Sequence, residues 1–406
     1  MNISKVVDKL NNLLKSFKKE CISASFYNGQ SIVCSSDIVK NTIPFGKVAI
    51  LYFKKEYEKN GKNFATMIKG NGNPVTHVVL PDDFSNSLEN FSHLFNLAED
   101  IRMVIATDSK LFPLAKYFAY VRNIPCLLIV SDLNVYNLLS PHISLTSKKA
   151  SQSINVKCEI HVVIDYDAIL LNPHTFADAY AFIVSHALAL TDYRIHLGMM
   201  GKTPDKTIFA LAINAITQTY PLYSFDKQVR GLVLLNNLMS LEIASACSQG
   251  EIYKNFSGAV ASQIMGEDAN EQGKNRLLTS IIIAKLYNLF LSGNYDKILQ
   301  SPDYLSRVDY ICSKLTLDRI GVNEQLINQY ETIVSNAKKL SKIKAKTQID
   351  VNSFIECSSK MLSIFSALGG STEIDKVKRD LSIKHSGDLY LNCMSLVRES
   401  GITESI

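Results

Sequence analysis

Apolar residues recur at two different periods along this chain of 406 residues, and the change of period divides it. At the start, Ile3, Val6, Val7, Leu10, Leu13, Leu14 and Phe17 recur at helical spacing, while Lys5, Lys9, Lys15, Lys18 and Lys19 occupy other faces. That predicts a basic amphipathic helix within an N-terminal segment, 1–39, that leads into the first domain. From 40 to 173 the pattern is different. Short apolar and β-branched runs stand at VAILYF (48–53), VTHVVL (75–80), MVIA (103–106), PCLLIV (125–130) and IHVVID (160–165), with helix-like stretches between several of them. Strands without polar alternation, separated by helices, imply a mainly parallel sheet buried on both faces. A Rossmann-like α/β domain follows, with ligands expected at the carboxyl ends of its strands. After Pro173 such runs stop, and helical periodicity over 174–406 predicts an all-helical domain, interrupted near SQGE, GEDANEQG and LGGSTE.

Composition narrows the partners. A chain 47% hydrophobic and 20% charged has ample core for two domains. Its net charge of +5 is small for this length, and no basic strand interleaved with aromatics is present, so nucleic acid is not an expected partner. The run KKLSKIKAK (338–346) reads as a solvated helix face, with a phosphate or anionic partner as the alternative. Eight cysteines lie singly, with no Cys-x-x-Cys pair, which fits reduced thiols in a cytoplasmic protein. No apolar run approaches the ~20 residues that span a bilayer, and the first residues lack a signal-peptide core. The N-terminal helix is expected to dock on the protein's own body, on a twin subunit in a homodimer, or on another protein. Membrane contact is the less favoured use of it.

Four local patterns hold their order in the chain. Ala115-Lys116 match the end of a Gly-Gly-Gly-x-x-x-Asp-x-Ala-Lys loop. Ile124-Pro125 and Ser140-Pro141 bracket a stretch of the right length, VVIDYDAILLNP (162–173) gives a strand ending in Asp, and TDYRI (191–195) is similar to an Asp-Trp-Arg segment. Together they resemble the glycerol dehydrogenase, iron-containing alcohol dehydrogenase and dehydroquinate synthase superfamily, with the sn-glycerol-1-phosphate dehydrogenases nearest. The resemblance covers about residues 40–400. It implies a dehydroquinate synthase-like architecture, an NAD(P)-dependent reaction on a glycerol phosphate or other polyol or alcohol, and a divalent metal. A dehydroquinate synthase-like lyase is a more remote implication.

The departures from that pattern matter more. Aligned on Ala115-Lys116, the three glycines become Thr107, Asp108 and Ser109, and the motif aspartate becomes Pro113. Glycines there let backbone approach a pyrophosphate closely. Two unit charges ~5 Å apart at an effective dielectric of ~20 repel by ~3 kcal/mol, more than the ~0.3–1 kcal/mol a helix N-terminus returns. The family's three metal-ligand positions fall at Phe182, Ala261 and Gln272, and no histidine lies between His196 and His385. The expectation is therefore a non-catalytic homologue, a pseudoenzyme, acting by ligand or partner binding, with no cofactor required, NAD(P) still possible, and no zinc, nickel or iron. An active NAD(P)-dependent oxidoreductase is the alternative.

Residues expected to line a cleft between the domains are Thr107, Asp108, Ser109, Lys110, Lys116, Ser131, Asp132, Asn134 and Asn137, as degenerate cofactor positions; no catalytic residue is assigned. Lys116 has a second reading as a solvated or ion-paired helix residue. Asp178, His186 and His196, with His174 nearby, offer a replacement metal site, against which His186 in FIVSHALAL is more commonly a satisfied core histidine.

Overall fold

A computed structural model describes residues 2–17, 23–82, 101–147, 150–199, 202–222, 226–248 and 349–369, with individual positions between 84 and 100 and at Leu277, Ser280, Ile281 and Ala284. Helix α1 (Ile3–Ser16) begins where Asn2 accepts the Lys5 amide on its side chain at 3.0 Å. Its apolar stripe buries Val6, Val7 and Leu10. Strand β1 (Ala24–Asn28), helix α2 (Ser31–Thr42) and strand β2 (Lys47–Phe53) follow. A wide turn, Tyr57–Gly61, then leads into helix α3 (Lys62–Gly70) and strand β3 (Val75–Leu80).

Strand β4 (Ile101–Ala106) is followed by helix α4 (Phe112–Arg122), whose Pro113 suits a first turn that needs no amide hydrogen. Asn123, at φ 52°, ends that helix in the left-handed conformation. Strand β5 (Cys126–Val130), the antiparallel ribbon β6 (His142–Ser147) and β7 (Ala150–Asn155), and strand β8 (Ile160–Ile164) complete the strands. Every described element after that is a helix: α5 (Tyr166–Leu171), α6 (Thr175–Met199), α7 (Lys206–Thr219), α8 (Lys227–Cys247) and residues 349–367.

Six strands form one parallel sheet in the order β1-β8-β5-β4-β2-β3. All of β5 and β8 is buried, as a parallel sheet covered on both faces requires. One face packs Val48, Ile50 and Tyr52 of β2 with Ile38 of α2 and Phe64 and Ile68 of α3. The expected α/β fold is present, and β1 extends it by an edge strand that the apolar runs did not announce. The outward edge of β1 is covered by a side chain: Asn11 of α1 donates to the Phe26 carbonyl at 2.8 Å and accepts the Phe26 amide at 2.9 Å. An edge strand is thereby closed to pairing with another chain at that residue.

The chain divides into two compact units, Met1–Tyr180 with Thr217–Gly250, and Ala181–Ile216 with Glu251–Ile406. The division differs from an expected boundary at 173/174, and the N-terminal segment 1–39 lies inside the first unit. The reason is packing: α8 lies against α1 and α5, so it belongs with the sheet. In the second unit Arg194 lies 4.8 Å from the ring centre of Phe209 and pairs with Asp350. The lysine run 338–346 and the family positions Ala261 and Gln272 lie outside the described residues. Among the described residues no helix is long and apolar enough to cross a membrane.

Gly231 shows how tightly α8 meets α5. A Cβ there would stand 2.8 Å from the Tyr166 hydroxyl and 3.1 Å from Phe176, and that hydroxyl already donates to the Gln228 carbonyl. Gly→Ala in a helix ordinarily gains up to ~1 kcal/mol. Here overpacking reverses the sign, and Gly231→Ala is expected to lose about 1–3 kcal/mol in urea denaturation.

Candidate site at the carboxyl edge of the sheet

The six parallel strands present their carboxyl ends together, and the order of the sheet reverses between β2 and β4: β3 lies on one side of β2, and β4, β5 and β8 succeed one another on the other. Ligands of such sheets lie outside the carboxyl ends at that reversal. Four strands are followed there by a carboxyl group: Glu56 after β2, Asp108 after β4, Asp132 after β5 and Asp165 after β8.

Glu56 and Thr107 meet across the reversal. The Thr107 hydroxyl lies 3.0 Å from the Leu51 carbonyl and 2.5 Å from Glu56 Oε2. It carries one hydrogen, so it cannot donate to both. The Leu51 carbonyl can only accept. All three groups are satisfied when a protonated Glu56 donates to Thr107 and Thr107 donates to Leu51. The electrostatics agree: burial, and then the charge of Asp108, push the Glu56 carboxyl up to about 7. Burial also raises Asp108, helped by the charge of Asp132, and burial raises Asp132 in turn. Burial thus pushes three carboxyls on neighbouring strand ends toward the neutral form, with a smaller push from Asp108 on Glu56 and from Asp132 on Asp108.

Asp108 occupies the place a phosphate would take. Its Oδ1 accepts the Lys110 amide at 2.9 Å, and its carbonyl accepts the Leu111 amide at 3.0 Å, closing the turn Ser109–Leu111 that opens α4. Amides that would receive an anion are bonded within the chain. A pyrophosphate at this turn would meet the Asp108 carboxyl in place of free amides. Asp132 closes a similar turn on the Asn134 amide at 2.8 Å. The Ser131 carbonyl accepts from Asn172 at 3.3 Å. Asp165 accepts both the Ser31 amide and hydroxyl, at 2.8 and 2.5 Å, and caps α5 through the Ala168 amide.

Lys116 is elsewhere. It is 1% exposed, and its ammonium donates to the carbonyls of Asn137, Leu138 and Ser140 at 2.9, 3.4 and 2.6 Å. Burial lowers it, while the charges of Cys158, Glu242 and Cys126 hold it up. Fully buried Glu242 grips the same segment from α8, accepting the Asn137 amide at 2.9 Å and the Leu139 amide at 3.0 Å. Asn137 itself is exposed, at φ 60°. Of the nine residues singled out from the sequence, Thr107, Asp108, Ser109 and Lys110 form one turn at the reversal. Ser131, Asp132 and Asn134 stand at the adjacent strand end. Lys116 and Asn137 serve the segment that follows, so Lys116 is neither a solvated residue nor a group free to meet a ligand.

Glu56 and Glu242 escaped the sequence reading. Glu56 sits in KKEYEK, which looks like a solvated charge run, and its one signal was its distance from the end of VAILYF. Glu242 sits inside an apolar helix, where an unpaired carboxylate would be costly and so required a partner.

Of the family's three metal positions only Phe182 lies among the described residues, and its side chain carries no donor atom. Phe182 is buried, its ring 4.5 Å from that of His186, whose Nδ1 lies 2.6 Å from the Phe182 carbonyl. Asp178 accepts from the Tyr136 hydroxyl. Among the described residues no group of three His, Cys, Asp or Glu side chains stands close enough to hold a metal.

Neither family models nor curated proteins match the chain. Solved structures do. Sulfoacetaldehyde reductase from Bifidobacterium kashiwanohense in complex with NAD+ is 10% identical, over 95% of this chain and 98% of that one, with a TM-score of 0.55. Glycerol dehydrogenase from Schizosaccharomyces pombe is 13% identical, over 83% and 92%, with a TM-score of 0.52. NADH-dependent butanol dehydrogenase A from Thermotoga maritima is 13% identical, over 94% and 96%, with a TM-score of 0.50. The chain shares the fold of these three structures. One expectation is corrected by these structures. That no cofactor is called for does not stand beside an NAD+ complex and an NADH-dependent enzyme of the same fold. The exclusion of zinc, nickel and iron is withdrawn with it.

Proposed function

We propose that this chain is a divergent relative of the NAD(P)-dependent polyol and alcohol dehydrogenases that holds a ligand at the carboxyl edge of its sheet without oxidising a polyol. The observation that supports the reading is the Glu56–Thr107–Asp108 arrangement at the strand-order reversal. Fold alone would not carry it, because one fold hosts many activities. A nicotinamide dinucleotide is the first ligand to try. Its phosphates would meet Asp108 in place of free amides, and Glu56 adds a second negative charge only above neutrality, so binding should tighten as the pH falls through about 7.

The test is a titration of NADH, followed by its fluorescence, alongside assays of glycerol and glycerol-1-phosphate oxidation with NAD+ and NADP+. Asp108→Asn removes a charge worth up to ~3 kcal/mol against a phosphate at ~5 Å. Solvent reduces that, and the expected gain in NADH affinity is about tenfold. Turnover of either alcohol by the wild-type protein overturns the reading. It would favour the second one, an active NAD(P)-dependent oxidoreductase on a glycerol phosphate or another polyol or alcohol, for which the names of the matching structures speak.

A further inference from the structure

Two cysteines that the sequence separates by 32 positions are neighbours in space. Cys126 opens β5, and its amide donates to the Glu159 carbonyl at 2.9 Å. Cys158 sits just before β8, two residues ahead of Ile160, the residue in register with Cys126. Parallel pairing of β5 with β8 therefore brings the thiols together, with Sγ–Sγ 3.8 Å and both sulfurs unbridged. Cys126 is wholly buried and Cys158 is half-buried, so Cys158 is the member of the pair nearer solvent. The charge of the buried Lys116 ammonium acts on both.

We propose that Cys126 and Cys158 are a redox-active dithiol, in which Cys158 is the sulfur that reacts with a hydroperoxide and Cys126 the sulfur that resolves it. The thiolate is the reactive form. With Cys126 as donor, the hydrogen bond between the sulfurs pulls the Cys158 thiol down. That bond and its burial push Cys126 up, while the Lys116 charge favours the thiolate on either sulfur. In the first step the Cys158 thiolate attacks the terminal oxygen of the hydroperoxide. The O–O bond breaks, the alcohol or water leaves with a proton, and Cys158 becomes a sulfenic acid. In the second, Cys126 attacks the Cys158 sulfur, the S–O bond breaks, and the departing hydroxide takes the Cys126 proton as water. The sulfurs must close from 3.8 Å to ~2.05 Å. An external dithiol reverses the change by exchange.

The experiment exposes the full-length protein to hydrogen peroxide, blocks remaining thiols with N-ethylmaleimide, and maps the peptides by mass spectrometry. The expected product is a peptide pair linked through Cys126 and Cys158, lighter by two hydrogens and separated by dithiothreitol. It should form before the other described thiols at Cys34, Cys247 and Cys357 are consumed. In Cys126→Ser a sulfenic acid should persist on Cys158 and be trapped by dimedone. In Cys158→Ser, Cys126 should resist peroxide. The proposal is overturned if wild-type protein shows no Cys126–Cys158 link while Cys34 or Cys357 oxidises, or if Cys158 links to a different cysteine.

Discussion

Replacing Lys116 by Met should destabilise the protein by about 3–5 kcal/mol, the range found when one member of a buried charged arrangement is removed. Three carbonyls, those of Asn137, Leu138 and Ser140, lose their donor, the last two in buried surroundings, and each unsatisfied buried group costs ~1–3 kcal/mol. Some of that is offset because Met needs no desolvation of an ammonium. At ~2–4 °C per kcal/mol for a unit of this size, the melting temperature should fall by roughly ten degrees. Glu242→Leu should cost a similar amount, since the Asn137 and Leu139 amides lose their acceptor. The decisive measurement is the double variant. Both charges hold one segment, so its loss should be clearly smaller than the sum of the two singles. Additive losses would mean that Lys116 and Glu242 stabilise separate parts of the structure.

A pH series on Glu56→Gln tests the proton on Glu56. Its folded-state pKa of about 7 lies above the ordinary carboxylate value of 4.5. Between those values the folded protein binds the proton and the unfolded chain does not. Stability therefore falls as the pH rises from about 4.5 to about 7, and is level above that. The full shift corresponds to ~3 kcal/mol at ~1.4 kcal/mol per unit, and partial exposure of Glu56 brings the expectation down to about 2 kcal/mol. Gln carries the hydrogen at every pH and can donate it to Thr107 as the protonated acid does. Urea midpoints of the variant should accordingly exceed those of the wild type at pH 8 and coincide with them near pH 4.5. If the two proteins share one pH profile, Glu56 is ionised throughout and the Thr107 hydrogen points at it.

The five apolar runs that read as strands each became one. For the four inner strands β2, β4, β5 and β8 the reason is that a strand covered on both faces is apolar along most of its length, a pattern that survives in a single sequence. Strand β3, by contrast, is a half-buried edge strand. The ribbon β6–β7 did not show. HISLTS and ASQSIN contain no apolar run, and a two-stranded ribbon imposes none. Strand β1 was hidden for another reason: ASFYN is short, and its edge is satisfied by Asn11 rather than by a second strand. At the site, the turn at Thr107–Ser109 was legible because it broke a glycine pattern. Glu56 was not, because what gives it a role is the pairing of β2 with β4, which brings together residues 51 positions apart. The dithiol was concealed in the same way. Cysteines that looked scattered along the chain are adjacent because β5 pairs with β8, which sets Cys126 beside the residues that lead into β8.

The position of β1 also sets an order of events at the ribosome. Residues 24–28 emerge well ahead of 160–164, the strand that β1 pairs with among the described residues, and α1 rests on a helix at 227–247. With synthesis at ~5–20 residues per second, β1 waits about 7–27 seconds for its partner strand, and α1 longer for its helix. During that interval the central strands β2, β4 and β5 can already assemble, while Val6, Val7, Leu10 and Phe26 stay uncovered and available to a chaperone. Early parts of the chain are thus among the last to be installed, and a stall in translation before residue 160 would leave this nascent protein with its N-terminal helix exposed.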